Sequence, residues 1–382
     1  MPGRFPVAGI MFLAPWSMSL PEIIIQKIRK EGPISFRDYM DLCLYHRLGY
    51  YRSSSLKFGG EGDFFTSPTI SPIFGKLIAR QLIEAWKVLG RKEFTVMEWG
   101  GGDGTLAKSI LEASASHPQF YDSLHYGMVE RNSLSCAEEV KLSRFASSEA
   151  IPAFDGCVLS NELVDNFPVH LVEMNEVLME VHVDFRGGKF IEILHKAPQE
   201  LLSHFEALKI QLPVGYRTEV NMDLRNWIKV MESKLKRGFV ITFDYGGRAN
   251  EIYHPNRNRG TLLCFHRHKV HDNPYVNMGQ QDITASVDFT SFMRWGEELG
   301  LSTTGYVSQL NFLRALGLNQ FLHELEKDQH KFSGSKQQNW LLQHFIIEMG
   351  NRIKVLVQHK GVDQPRLSGL MFSKRDPVEI QL

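Results

Sequence analysis

The sequence has few cysteines and no clustering among them. Four occur in 382 residues, Cys43, Cys136, Cys157 and Cys264, and none forms a Cys-x-x-Cys pair. That spacing argues against a zinc site or a disulfide framework and fits a reducing compartment, with the thiols acting as small buried hydrophobes. An excess of either charge is also missing: Lys+Arg and Asp+Glu both number 43. A nucleic-acid binder usually carries a basic surplus, so no nucleic-acid partner is expected. The chain lacks an apolar run long enough to cross a bilayer. Its longest candidate, Val7 to Trp16, is short and broken by Pro15. That N-terminal stretch reads neither as a signal peptide nor as an Arg- and Ser-rich presequence, and Met18 offers an alternative start. The expected location is the cytoplasm, with the mitochondrial matrix as the alternative. Internal repeats and low-complexity tracts are missing too.

What is present is the composition of an ordinary globular protein, 43% hydrophobic and 23% charged. The length suggests two domains or one core with a large appendage. Residues 20–31 and about 35–48 read as amphipathic helices. A Ser- and Gly-rich loop follows at 53–68, and helical periodicity returns from Pro72 to Leu89. The first 90 residues thus read as a helical layer with one long loop.

From Phe94 strands and helices alternate. Strands are expected at 94–99, 124–130, 156–162 and 238–244, with helices after the first and second, the latter around Ser133–Phe145. Such alternation implies an α/β fold with a parallel sheet, helices on its faces and a site at the strand carboxyl ends. Residues 169–194 alternate apolar and polar positions around Gly187-Gly188, as in a β-hairpin or small meander. Helices follow at about 197–209 and 221–236. Residues 247–288 read as a long irregular region with one short strand at 260–265. Beyond it come a helix at 289–299 and strands at 303–308 and 353–359. The implied units are 19–90, the helical region; 91–168, the first part of the core; 169–236, an inserted substrate cap; and 237–382, the second part of the core.

The motif with the most chemistry is Glu98-Trp99-Gly100-Gly101-Gly102-Asp103-Gly104. Gly100, Gly102 and Gly104 form Gly-x-Gly-x-Gly between a strand and a helix, where bare backbone and a helix N-terminus can receive a ligand. The dinucleotide fingerprint fails, because Thr105 occupies its last glycine position. Glu98 suits a cationic ligand end and would repel a pyrophosphate. The next strand ends in Glu130, an acid placed to accept ribose hydroxyls. Together these residues point to S-adenosylmethionine, which carries an ammonium and a sulfonium.

The third strand runs into a polar burst, Asn161, Glu162, Asp165 and Asn166. Methyl transfer is an in-line displacement, so such an enzyme mainly orients its nucleophile. Were that nucleophile an arginine, Glu162 and Asp165 could grip its guanidinium by fork-type hydrogen bonds. They could also be an N-cap and a surface acid. Asn161 is assigned to the cofactor. Asp244, after the fourth strand, is equally a site acid or a loop cap. His266, His268 and His271 have no acid or Cys spaced to complete a metal site, so no metal is expected.

The chain resembles the MidA-type methyltransferases, a family whose eukaryotic branch includes mitochondrial complex I assembly factors. The resemblance covers residues 20–372. It rests on GPISFRDYMDLCLYHRLGYY (32–51), GDFFTSPTISPIFG (62–75), EWGGGDGTLA (98–107), SNELVDNFPV (160–169), FDYGG (243–247), EIYHPNRNRGTL (251–262), HKVHDNP (268–274), DITASVDF (282–289) and the tail RIKVLVQHKG. It implies a Rossmann-like class I methyltransferase core and a protein arginine substrate. By position it carries over Gly100, Gly102, Gly104, Glu130, Asn161, Glu162 and Asp165. The family's usual Gly-Pro is Gly100-Gly101 here, and its usual Glu and Gln are Thr69 and Pro72. Thr66 and Ser67 offer hydroxyls to either the cofactor or a helix cap. Two other functions remain open at this point: an assembly chaperone that keeps the cofactor for stability, and a nucleotide-dependent oxidoreductase.

Overall fold

The computed structural model describes residues 18–52, 72–130, 141–327 and 349–373. The N-terminal apolar run, the loop at 53–68 with Thr66 and Ser67, Thr69, Cys136 and most of the expected helix at 133–145 lie outside them.

The first strands and helices follow the hydrophobic pattern. Helix α1 (Leu20–Glu31) starts at Ser19 and Glu22, whose side chains satisfy each other's ends in a capping box, and buries Leu20, Ile24 and Ile28 at four-residue spacing. Strand β1 (Ile34–Ser35) leads into α2 (Phe36–Tyr45), where the Ser35 hydroxyl accepts the Asp38 N–H at 3.1 Å. Helix α3 spans Pro72–Val88, strand β2 Phe94–Trp99, helix α4 Thr105–Ser114 and strand β3 Leu124–Val129. Next come β4 (Leu142–Phe145), β5 (Phe154–Asn161), β6 (His170–Met174), β7 (Leu178–Arg186), β8 (Lys189–Lys196), β9 (Arg217–Val220) and β10 (Leu235–Gly247). The remaining strands are β11 (Leu263–His266), β12 (Lys269–His271), β13 (Asp282–Thr284), β14 (Val287–Asp288), β15 (Ser302–Ser308) and β16 (Ile353–Lys360).

The main sheet has the order β15-β16-β10-β5-β2-β3-β4, with β14 added beside β10. Strands β4, β3, β2, β5 and β10 are mutually parallel. Strand β16 runs antiparallel to both β10 and β15. The sheet is therefore mixed: one reversed strand interrupts the parallel array expected from the βα alternation. Strand β3 extends the sheet to one side of β2 and β5 to the other, so the chain reverses its direction of winding at β2. Open α/β sheets bind ligands at such a switch point.

Two apolar layers cover this sheet. Val96, Tyr126, Leu159 and Phe243 face α3 and α4, whereas Met97, Val158 and Val240 face the helices Asp223–Lys234 and Phe289–Glu298. Alternate strand residues thus feed opposite layers, as a pleated strand buried on both faces requires. Residues 170–220 and β1 from the N-terminal region together build a second sheet, β1-β7-β6-β9, with β8 also paired to β7.

Three expectations are corrected. The helical layer divides: α1 and α2 pack on the second sheet, while α3 packs on the main one. Residues Leu142–Phe145 form the edge strand β4, not the end of a helix. The region 247–288, read as irregular but for one strand, contains the three-stranded sheet β12-β11-β13.

Candidate active site

The glycine loop leaves β2 with backbone that only glycine adopts readily. Gly100, Gly102 and Gly104 have φ of 71°, 54° and 82°. A Cβ on Gly100 would lie 2.7 Å from Leu163 Cδ1, and one on Gly101 would lie 2.3 Å from Met128 Sδ. The loop is thus pinched between the ends of β3 and β5. Gly104 then occupies the N-cap of α4 in a left-handed conformation, and Asp103 Oδ1 accepts the Thr105 N–H at 3.0 Å.

Two expected acids meet at this loop. Glu130 Oε2 accepts the Gly102 N–H at 3.2 Å, and the Gly100 N–H donates to the Val129 carbonyl at 3.0 Å. The carboxylate that was expected to hold a ribose therefore sits against the glycine backbone. Glu98 is 3% exposed and accepts the Tyr126 hydroxyl at 2.8 Å. Burial raises its pKa to about 7, against the opposing effect of that hydrogen bond; Asp103 and Glu130 add to the rise. Such a carboxyl gains strongly from an arriving cation.

Across the switch point, β5 ends in Asn161. Its Nδ2 donates to Glu162 Oε1 at 3.1 Å, while its Oδ1 is sealed from solvent with no hydrogen-bond partner among the described residues. A buried acceptor left without a donor is costly and marks a place for one. Glu162 itself adopts φ 51°, an uncommon conformation for a non-glycine residue, and its N–H donates to the Phe243 carbonyl at 2.9 Å. Its side chain stays half-buried.

Asp165 stands one turn further on, in the 3-10 turn Val164–Asn166, and is 7% exposed. It faces Asp244, Asp282 and Glu162. Asp244 is fully buried. Its Oδ2 accepts the N–H groups of Leu163 and Val164 at 3.2 and 2.7 Å, and its Oδ1 accepts that of Tyr245 at 2.9 Å. Of the two readings open for Asp244, the loop cap is the one its contacts describe. It holds the turn that carries Glu162 and Asp165.

The sequence did not single out Asp282, Tyr45 or Tyr51, and it showed Asn166 only as part of the polar burst after β5. Asp282 accepts the Tyr51 hydroxyl at 2.9 Å and both oxygens lie near Asn166 Nδ2, at 3.2 and 3.1 Å. The Tyr45 hydroxyl donates to the Asn166 carbonyl at 3.0 Å, and the Tyr45 and Tyr51 rings stack. All four lie within the motifs 32–51, 160–169 and 282–289, which was the available signal. Away from this cluster, His266 and His271 flank a hairpin and bond to the Gln280 carbonyl and the Asn273 N–H. No group of three potential ligands forms a metal site among the described residues.

The assembled chemistry fits a ligand with a cationic end and vicinal hydroxyls. The glycine cradle excludes side chains, Glu130 and Glu98 place carboxyl groups beside it, and Asn161 Oδ1 has no donor among the described residues. These are the groups that S-adenosylmethionine presents.

Comparison with known proteins agrees. Residues 77–307 match the model of a family of S-adenosyl-L-methionine-dependent methyltransferases. The chain is 28% identical to the mitochondrial protein arginine methyltransferase NDUFAF7 homolog of Drosophila melanogaster, over 90% of this chain and 85% of that protein. It is 27% identical to the mitochondrial protein arginine methyltransferase NDUFAF7 of Homo sapiens, over 78% of this chain and 73% of that one. A crystal structure from Burkholderia thailandensis bound to S-adenosyl-homocysteine superposes with a TM-score of 0.83 at 30% identity, covering 94% of this chain and 95% of that chain. A native crystal structure from the same organism gives 0.81 at 28% identity, with the same coverage. Among the described residues no helix is long and apolar enough to cross a membrane.

Proposed function

Because this chain belongs to that family of S-adenosyl-L-methionine-dependent methyltransferases, we propose that its methyl acceptor is a guanidinium nitrogen of a protein arginine. The observation that carries the proposal is the concentration of acids at the mouth beside the glycine loop: Glu162 on a strained turn, Asp165 behind it, and Asp244 and Asp282 around both. The names of the curated relatives support the same acceptor.

The roles divide along the switch point. Gly100, Gly102 and Gly104 admit the cofactor to bare backbone. Glu130 accepts its ribose hydroxyls, and Glu98 and Asn161 Oδ1 receive its ammonium. When bound, S-adenosylmethionine supplies an electrophilic methyl on a sulfonium. Glu162 and Asp165 grip the guanidinium by charge-assisted hydrogen bonds and draw its positive charge away from the attacking nitrogen. One of these carboxylates is placed to take the proton that the nitrogen gives up when the methyl passes to it from sulfur. In this reading 91–168 and 237–382 are the two parts of the cofactor core with α3 packed on it, and α1, α2 and 169–236 shape the substrate side. The curated relatives are named as mitochondrial, which favours the matrix over the cytoplasm for this chain.

The test is a comparison of proteomes from cells with the protein, without it, and with Glu162→Gln. The reading expects one or more arginine peptides whose methylated form disappears in the last two. A chaperone role would instead leave methylation unchanged in Glu162→Gln cells while the partner complex still assembled.

A further inference from the structure

Three acids from distant parts of the chain converge behind the mouth. Asp165, Asp244 and Asp282 are 7%, 0% and 2% exposed. Two of them accept several hydrogen bonds. Asp244 takes the N–H groups of Leu163, Val164 and Tyr245, and Asp282 takes the Tyr51 hydroxyl, the Asn166 amide and the Ile283 N–H. Asp165 differs, because among the described residues its buried Oδ1 has no hydrogen-bond partner.

Among the described residues, the charged groups that act most strongly on Asp165 are Asp244, Asp282 and Glu162, all acidic. The phenols of Tyr51 and Tyr245 adjoin the same cluster, and Arg352 faces Tyr245. A second buried negative charge with no counter-ion costs several kcal/mol in a folded protein, so neighbouring carboxyls of this kind share a proton. Burial first, then Asp244, Asp282 and Glu162, push Asp165 well above the usual carboxylate range. Burial also raises Asp244 to about 7 in spite of its three N–H donors.

We propose that Asp165 rests as a neutral carboxyl donating to Asp244, and that entry of a substrate guanidinium expels its proton to water, so that substrate binding and proton release are one event. The O–H bond of Asp165 breaks and its proton goes to solvent. The resulting carboxylate accepts an N–H of the arriving cation. One positive charge enters and one leaves, so the recess keeps its net charge and no redox partner is needed. Naming the cation a guanidinium rests on the arginine reading above; the coupling does not.

The experiment is calorimetric titration of methylguanidinium chloride into the full-length protein saturated with S-adenosylhomocysteine, in buffers of different ionisation heat. Below the titration of Asp165 the affinity should rise about tenfold per pH unit, with about one proton released. In Asp165→Asn the profile should be flat and proton-free, with unchanged affinity for S-adenosylhomocysteine showing that the variant is folded. A flat profile in the unmutated protein, or equal proton release in Asp165→Asn, overturns the proposal. Should the variant not fold, infrared difference spectra of the unmutated protein decide: a carboxylic-acid carbonyl band must vanish on adding methylguanidinium, and its persistence overturns the proposal. Tighter binding of methylammonium with the same pH slope supports the coupling and counts against arginine.

Discussion

At the scale of single residues, the site's polar groups have separable jobs. Glu130 is joined to the loop by one hydrogen bond to Gly102. Its loss in Glu130→Ala should weaken S-adenosylhomocysteine about tenfold to a hundredfold, the range for a hydrogen bond to a charged group. Glu162 is assigned to the methyl acceptor, not to the cofactor. Glu162→Gln should lower kcat about a hundredfold or more while cofactor affinity stays within about twofold, measured by methyl transfer and calorimetry. Glu98 gives a pH prediction. Its pKa of about 7 in the fold exceeds the usual 4.5, so between those values the folded state binds the extra proton. Its contribution to stability is therefore greatest below about 4.5 and falls as pH rises towards 7, by at most about 3 kcal/mol. Thermal melting of Glu98→Gln should decline less steeply over that window, and an equal decline would contradict the assignment. The glycines, Glu98 and Glu130 were legible in the sequence because spacing alone places them at a strand end. Asp244 was not, since its letter is the same whether it faces a ligand or the N–H groups of Leu163 and Val164. Asp282 needed the fold, which brings it to Asn166 from 116 residues away.

At the scale of elements, long periodic segments were readable and short ones were not. Helix α1 runs over the expected residues because its apolar positions repeat at helical spacing and its ends carry capping signals. Strand β4 has four residues, none fully buried, so no alternation marks it. Strands β12 and β13 have three residues each and owe their form to pairing with β11. The β11–β12 turn is stressed: Arg267 and His268 have φ of 49° and 61°, the signs that a type I′ hairpin demands and that Asn-Gly supplies. Replacing the pair by Asn-Gly should stabilise the protein by about 1 kcal/mol, read as a higher urea midpoint at constant slope. The turn after β5 behaves oppositely. Asp244→Ala strips the buried N–H groups of Leu163 and Val164 of their acceptor and should cost about 2–4 kcal/mol, with Asp244→Asn costing less.

At the scale of the whole molecule, the described residues build a main sheet and a second, smaller one. The parallel strands β4, β3, β2, β5 and β10 create the switch point, and the reversed β16 closes the sheet beyond β10. The second sheet reaches back to the N-terminal region through β1, which pairs antiparallel with β7. Tyr45 and Tyr51, from that same N-terminal region, bond to Asn166 and Asp282 at the mouth. The βα alternation announced the first sheet. It could not announce β1–β7 pairing, because a two-residue strand 150 residues from its partner leaves no local pattern. Everything claimed for the site requires the cofactor to enter at β2 between Glu98, Glu130 and Asn161. Calorimetric titration of S-adenosylhomocysteine into the protein and into Glu130→Ala measures this directly. One site per chain, weakened at least about tenfold in the variant, is the result this structure predicts. No binding by the unmutated protein, or equal affinity in both, would contradict it.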